Sequence, residues 1–263
     1  MNKVADFFFG IRTGGTVPDA VPDCLVPHSF AEAYQAQSIL VGQMLAAADQ
    51  GPAAAIGYKV ACTSSIARRL FSADGPVFGR LLSCSSWPDG TTLSAAGFPM
   101  LALEPEFAFR MAKDVPETAT PWTRGSIKSY ISVMLPALEL VGHRFDGWSA
   151  YSDTTLTADN AVNLGWISGE STNDWRAADL AGQAVTLRVN GKRLLAGSGA
   201  NVMGHPLNAV AWLANTLPEH GLGLRAGDLV TTGVCTDIYT SAPGECVQAD
   251  FGELGSVAVS FVE

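Results

Sequence analysis

Along most of the chain, apolar positions either alternate with polar ones or recur at helical spacing; one stretch does neither. Residues 101–109 read Leu-Ala-Leu-Glu-Pro-Glu-Phe-Ala-Phe, an apolar run broken only by two acids two positions apart. On a strand, successive side chains point to opposite faces, so Glu104 and Glu106 share one face while Leu103, Pro105, Phe107 and Phe109 share the other. A second apolar run, Leu135-Pro136-Ala137-Leu138-Glu139-Leu140, embeds a third acid in the same way. An E-x-E pair on a half-exposed strand is ordinarily a solvated face. Here the acids stand where core residues belong, and buried carboxylates need a compensating charge.

The remaining pattern predicts the other elements. Residues 10–27, rich in Gly, Pro and Asp, read as an irregular arm. Ser29 is placed to cap a helix over 30–49, stopped by Gly51-Pro52. Residues 54–62 read as a strand holding Lys59 among small and apolar neighbours, and Thr63-Ser64-Ser65 as the cap of a short helix ending at Phe71. A Gly/Pro turn at 74–76 leads into an extended segment over 77–82, and 113–124 is a polar loop. A helix is expected over 125–134, closed by Pro136. A loop containing Trp148 and Tyr151 precedes a short strand over 164–167. Asn190-Gly191, between apolar-alternating runs over 184–189 and 192–196, signals a two-residue type I′ hairpin. A helix over 207–217 and strands over 229–233, 245–251 and 257–261 complete the list. The boundaries suggest an N-terminal arm and helix over 1–52 and a catalytic domain over 53–263.

Composition narrows the function. With 263 residues, 48% hydrophobic and 16% charged, the chain can bury a substantial core. A net charge of -9 and the lack of any basic stretch argue against nucleic acid and anionic membranes as partners. Five cysteines with no C-x-x-C spacing read as reduced thiols in a cytoplasmic protein. Phe7-Phe8-Phe9, flanked by Asp6 and Arg12, is too short and too charged for a signal peptide, and no run is long enough to span a bilayer.

The chemistry therefore centres on the three acids. An all-carboxylate shell suits Mg²⁺, Mn²⁺ or Ca²⁺ better than zinc. An ion so held, with open positions, suits a substrate offering two oxygens for chelation, such as a 2-oxo acid or its enol. Lys59 is either a second cation, a proton carrier, or a strand lysine reaching solvent. Gly197-Ser198-Gly199 does not complete a dinucleotide fingerprint, no G-x-S-x-G elbow is present, and His205 between Gly204 and Pro206 reads as a structural hydrogen-bonding residue.

Taken in order, Gly57-Tyr58-Lys59-Val60, Gly75-Pro76-Val77-Phe78-Gly79, Leu103-Glu104-Pro105-Glu106-Phe107, Pro136-Ala137-Leu138-Glu139-Leu140-Val141 with Arg144, Ala158-Asp159-Asn160-Ala161, Gly204-His205-Pro206-Leu207 and Arg225-Ala226-Gly227-Asp228 resemble the 2-keto-4-pentenoate hydratase and 4-oxalocrotonate decarboxylase branch of the fumarylacetoacetate hydrolase superfamily. The resemblance runs from about Ser29 onward. It implies an α+β fold, a mixed β-sandwich or β-roll catalytic domain with an N-terminal helical portion. It also implies Mg²⁺ or Mn²⁺ (magnesium or manganese) on Glu104, Glu106 and Glu139, an active-site Lys59, and candidate substrate-binding residues Phe78, Arg80, His143 and Asn160.

The implied reaction adds water to a 2-hydroxy-2,4-dienoate or 2-oxo-enoate, giving a 4-hydroxy-2-oxo acid in the breakdown of aromatic compounds. Its alternatives are decarboxylation of an oxalocrotonate-like diacid, carbon–carbon hydrolysis of an acylpyruvate, or a non-catalytic dicarboxylate-binding or partner subunit. The expected partners are a small 2-oxo acid and further copies of the chain in a homo-oligomer, with a pathway decarboxylase or aldolase as a further candidate. Two positions depart from the pattern: Val77 stands where the branch usually has an acid, and Val162 where it often has a serine. His143 and Arg80 are the polar groups that would substitute.

Overall fold

Two sheets face each other in the computed structural model, which describes residues 1–49, 51–71, 73–145, 147 and 151–263. The first runs β2 (Val77–Leu82), β1 (Ala55–Ala61), β10 (Leu229–Thr231), β5 (Ala102–Met111), β6 (Ile131–Val141), β7 (Asn163–Ser168), β3 (Ser86–Pro88), with β11 (Tyr239–Thr240) also paired to β5. The second runs β4 (Thr91–Ser94), β13 (Ser256–Val262), β12 (Cys246–Asp250), β8 (Ala184–Val189), β9 (Lys192–Ser198). In the second sheet, β12 and β13 alternate buried and partly exposed residues, as a sheet wetted on one side should. β5 is buried along both faces except at Arg110, which explains its unbroken apolar run. Between the sheets, Leu103, Phe107, Phe109 and Leu138 pack against Val185, Leu187, Val247, Val259 and Phe261, together with α6 (Pro206–Thr216). This sandwich with an N-terminal helical portion is the fold that the sequence implied.

Prolines inside β5 and β6 are tolerated because each faces a gap in its neighbour. The Pro105 carbonyl accepts from Cys235 N–H, so its nitrogen faces the stretch between β10 and β11, where the adjoining strand is interrupted. The Pro136 carbonyl accepts from Gly169 N–H, so its nitrogen faces the chain just past the end of β7. Pro136 therefore lies within a strand and closes no helix. The helix expected over 125–134 shrinks to one turn, α4 (Arg124–Ile127), held by a reciprocal Thr123/Ser126 capping box and followed by a 3-10 turn. From Ile131 the β-branched residues Ile131 and Val133 begin β6.

The N-terminal stretch departs further from expectation. Residues 2–12 form α1 (Asn2–Arg12), burying Val4, Ala5, Phe8 and Ile11, so the arm begins only at Thr13. Ser29 caps α2 (Phe30–Ala46) by accepting from Glu32 N–H, but the helix ends before residue 49. Residues of α1 and α2 share one apolar cluster with Phe71, Val77, Ala102, Val141, Leu156 and Val162, so this region is packed onto the sheet. The short helix α3 (Ser65–Phe71) is capped by Ser64 Oγ, and α5 (Asp153–Ala158) leads toward β7. The Asn190-Gly191 hairpin has positive φ at both central residues, as type I′ requires. His205 Nδ1 accepts from Leu207 N–H and caps α6. All five cysteines are unpaired, and among the described residues no helix is long and apolar enough to cross a membrane. Trp148 lies outside the described residues.

Candidate metal centre

Strand register decides which side chains can meet. Glu104 pairs across β5 and β6 with Glu139, Glu106 with Ala137 and Ala108 with Leu135; Thr231 of β10 pairs with Ala108 on one side and Lys59 of β1 on the other. Directly paired residues share a face, so Lys59, Thr231, Glu104, Glu106 and Glu139 all project from the face turned away from the second sheet. Lys59 and Glu139 are three strand spacings apart, about 14 Å in a flat sheet. Their side chains nonetheless form an ion pair of 3.2 Å, so the sheet curls around this face.

Carboxylate oxygens of Glu104, Glu106 and Glu139 lie within 4.8 Å of one another, and all three residues are buried. Glu106 Oε2 accepts from Thr231 Oγ1 and, at 2.9 Å, from Gly233 N–H. Glu139 Oε1 accepts from Asn163 Nδ2 at 2.7 Å. Lys59 Nζ donates to the Ala161 carbonyl at 3.0 Å. Glu106 Oε1 and Glu139 Oε2 remain buried with no hydrogen-bond partner. Gly233 is required at its position: it has positive φ, and an added Cβ would lie 1.8 Å from Thr63 Oγ1.

The electrostatics call for a cation. Three ionised carboxylates against one ammonium leave an excess of two negative charges, which a divalent ion would cancel. Without it, burial and then Glu139 raise Glu104 to about 7, despite the opposing pull of Lys59. Burial and its two acidic neighbours push Glu106 well above the carboxylate range. Burial, the largest single influence on Lys59, pulls its ammonium down, but Glu139, Glu104 and Glu106 together outweigh it and raise it. Oxygen-only donors and two orphaned oxygens fit a hard divalent cation.

Other sequence candidates are placed differently. Phe78 and Arg80 pair with Val60 and Tyr58, on the opposite face of β1 and β2 from Lys59. Phe78 stacks on Tyr34, and the Arg80 guanidinium lies over the Tyr58 ring. Asn160 is near the site, but its amide is spent on Arg80: Oδ1 accepts from Arg80 N–H and Nδ2 donates to the Arg80 carbonyl. Gly79 admits the Asn160 backbone, whose oxygen would lie 2.6 Å from an added Cβ. His143 lies beyond the end of β6 with its Nδ1 at 2.8 Å from the Phe145 carbonyl. None of these four lines the small cavity beside Lys59 and Glu104.

Two residues were missed by the sequence reading. Thr63, read only as a helix cap, lines the small cavity beside Lys59 and Glu104, and its hydroxyl is buried without a partner. Arg12, read only as a charge after an apolar patch, reaches Asp159 and Asn163, the two ends of the segment that carries Ala161. Val4, Phe8 and Ile11 at helical spacing were the signal that would have put Arg12 on a helix facing inward. The cavity, about 20 Å³, has room for roughly one water. Its wall is largely apolar, including Phe71, Val141, Leu156, Val162, Val234 and Ile238.

This curled sheet, with a buried oxygen-rich cluster and an attendant lysine, defines an α+β protein suited to holding a divalent cation. Residues 68–262 match the fumarylacetoacetate (FAA) hydrolase C-terminal family, and the chain belongs to that family. It is 30% identical over 243 residues to the 2-keto-4-pentenoate hydratase of Paraburkholderia xenovorans strain LB400, covering 92% of this chain and 86% of the relative. A 4-oxalocrotonate decarboxylase of Pseudomonas putida is 29% identical over 207 residues, 79% of this chain and 78% of that protein. Among solved structures, 4-oxalocrotonate decarboxylase from Pseudomonas putida G7, complexed with magnesium and adipate, matches with a TM-score of 0.88 at 26% identity, over 99% of this chain and 96% of that one.

Proposed function

We propose that the chain is a divalent-cation-dependent hydratase that adds water to a short 2-hydroxy-2,4-dienoate, through its 2-oxo-enoate form, to give a 4-hydroxy-2-oxo acid in aromatic breakdown. The observation that carries this reading is the convergence of Glu104, Glu106 and Glu139 beside Lys59 at the end of an apolar cavity. Glu104, Glu106 and Glu139 would hold the ion, with magnesium or manganese as the candidates. When bound, it supplies Lewis-acid polarisation of the substrate's 2-oxygen. Lys59, held as an ammonium, gives a proton to carbon as the dienol ketonises and regains one from the 2-hydroxyl. The Thr63 hydroxyl, with no other partner, orients the water that adds at C4. Val141, Leu156 and Val162 exclude bulk solvent from the carboxylates.

Lys59 is the only cation on the cavity wall among the described residues, and it already faces Glu139. That favours a monoacid with an apolar tail over a diacid, which needs a second cationic group. Decarboxylation of a diacid is the second reading, supported by the likeness to the decarboxylase complexed with magnesium and adipate, a dicarboxylate.

The test is to supply magnesium- or manganese-loaded protein with 2-hydroxypenta-2,4-dienoate and follow loss of dienol absorbance and formation of 4-hydroxy-2-oxopentanoate. Release of CO₂ from 4-oxalocrotonate is measured in parallel. Turnover of the dienoate in preference to the diacid is expected. The reverse preference assigns the decarboxylase, and turnover of neither, with tight magnesium binding, leaves a binding protein.

A further inference from the structure

Beside the carboxylates lies a second buried cluster that the proposed chemistry does not use. Arg12, the last residue of α1, donates from Nε to Asp159 Oδ1 at 2.6 Å, from Nη2 to the Asp159 carbonyl at 2.7 Å, and from Nη1 to the Asn163 carbonyl at 3.0 Å. Its side chain is 6% exposed and that of Asp159 is fully buried. The guanidinium thus grips both ends of a five-residue segment.

Between those ends the backbone is in an uncommon conformation. Asn160, Ala161 and Val162 have φ of 51, 49 and 53°, three successive non-glycine residues in the left-handed region. That region is disfavoured for L-residues, most of all for a β-branched one, and persists only where surrounding contacts impose it. The conformation has two consequences at the carboxylates. It turns the Ala161 carbonyl toward Lys59 Nζ, and it sets Asn163 so that its amide donates to Glu139 Oε1. The same segment also brings Val162 to the cavity wall.

We infer that Arg12 is a positioning residue for Lys59 and Glu139, acting by clamping the left-handed segment 159–163 at both ends. The apolar residues of α1 dock the helix, and the guanidinium sets the segment. Lys59 and Glu139 lie in strands that fix their backbones, but the end of each side chain is oriented by a partner from this segment. The kinetic part of the inference rests on the hydratase or decarboxylase reading; the structural part does not.

The experiment compares the full chain with Arg12→Ala, Arg12→Lys and Phe8→Ala. Phe8 is buried in α1, so its truncation loosens the same helix without removing the guanidinium. Hydrogen exchange of the 159–163 amides is read alongside steady-state kinetics on the substrate that the wild type turns over. Arg12→Ala is expected to exchange at 159–163 about tenfold faster or more relative to the rest of the chain. Its kcat should fall about 10- to 100-fold with KM within about threefold, the signature of misplaced groups. Arg12→Lys, which keeps the charge but not the three-donor fork, should recover part of both. Phe8→Ala should keep its kcat per folded molecule.

Unchanged exchange at 159–163 or a wild-type kcat in Arg12→Ala overturns the inference, as does an equal kcat loss in Phe8→Ala. If the wild type turns over no dienoate or diacid, the functional reading fails while the exchange measurement still decides the clamp. If Arg12→Ala does not fold, Arg12→Lys carries both measurements.

Discussion

Two clusters of buried acid lie on either side of the same short segment, and they are balanced in opposite ways. Around Glu104, Glu106 and Glu139 the acids outnumber the cations, and two carboxylate oxygens are left without a partner. Around Asp159, one carboxylate meets Arg12 at 2.6 Å, Arg144 at 3.4 Å and the Tyr151 hydroxyl at 3.2 Å. There the positive groups are in excess: burial and then the neighbouring Arg12 lower Arg144 to about 10, with Asp159 opposing. A buried acid with every oxygen engaged holds the fold together, whereas buried acids with oxygens to spare call for a ligand. Burial is alike in both places, so it is the tally of partners that separates anchor from site.

That contrast is broken most forcefully by neutralising each cluster in turn. Asp159→Asn leaves two buried guanidinium groups facing a neutral amide and should destabilise the protein by about 3 kcal/mol, read from the urea midpoint. Glu106→Gln should do the reverse in metal-free protein, where losing one of three crowded carboxylates keeps or raises the urea midpoint. The same substitution should weaken Mn²⁺ binding about 100-fold or more by titration calorimetry and abolish turnover. Equal destabilisation by both substitutions would erase the distinction.

A pH series sharpens it next. Glu104 and Glu106 have folded-state pKa values above their unfolded ones, so their protonated forms favour the native state. Their contribution is fully present below the ordinary carboxylate value and is lost as pH rises, for Glu104 through about 7. Metal-free protein should therefore melt at progressively lower temperature from about pH 4.5 to 7, and saturating Mg²⁺ or Mn²⁺ should remove most of that decline. A melting temperature flat with pH in the metal-free state would contradict this. The smallest effect is expected from Thr63→Val, which should leave Mn²⁺ affinity unchanged and slow turnover about tenfold, the equivalent of one hydrogen bond.

The acid cluster was legible in the sequence because its signal is local. Two acids at strand spacing inside an apolar run, and a third in a similar run, predict a shared face from side-chain alternation alone. Lys59 needed one more step, the strand order that brings β1 and β6 toward each other across a curled sheet. Phe78 and Arg80 lie in a motif that matches the family, yet the alternation that groups the acids puts these two on the far face of β2. Asn160 is near the site, but its amide serves the backbone of Arg80. The helix expected to end at Pro136 failed because a proline's tolerance in a strand depends on whether the neighbouring strand continues opposite its nitrogen. Arg12 was illegible for a different reason: its partners lie about 150 residues away, and no local pattern reports a contact at that range.

That separation bears on how the chain assembles. Closing so large a loop is entropically costly and slow, and contacts of this span form after hairpins and local helices. The β5–β6 pair that carries the three glutamates is local by comparison, and can therefore form while residues 159–163 are still free to sample ordinary backbone angles. Competence would then arrive as a distinct late event, when α1 seats and the segment is driven into its left-handed bend. A refolding experiment that follows tryptophan fluorescence and turnover together should find recovery of turnover lagging behind recovery of fluorescence.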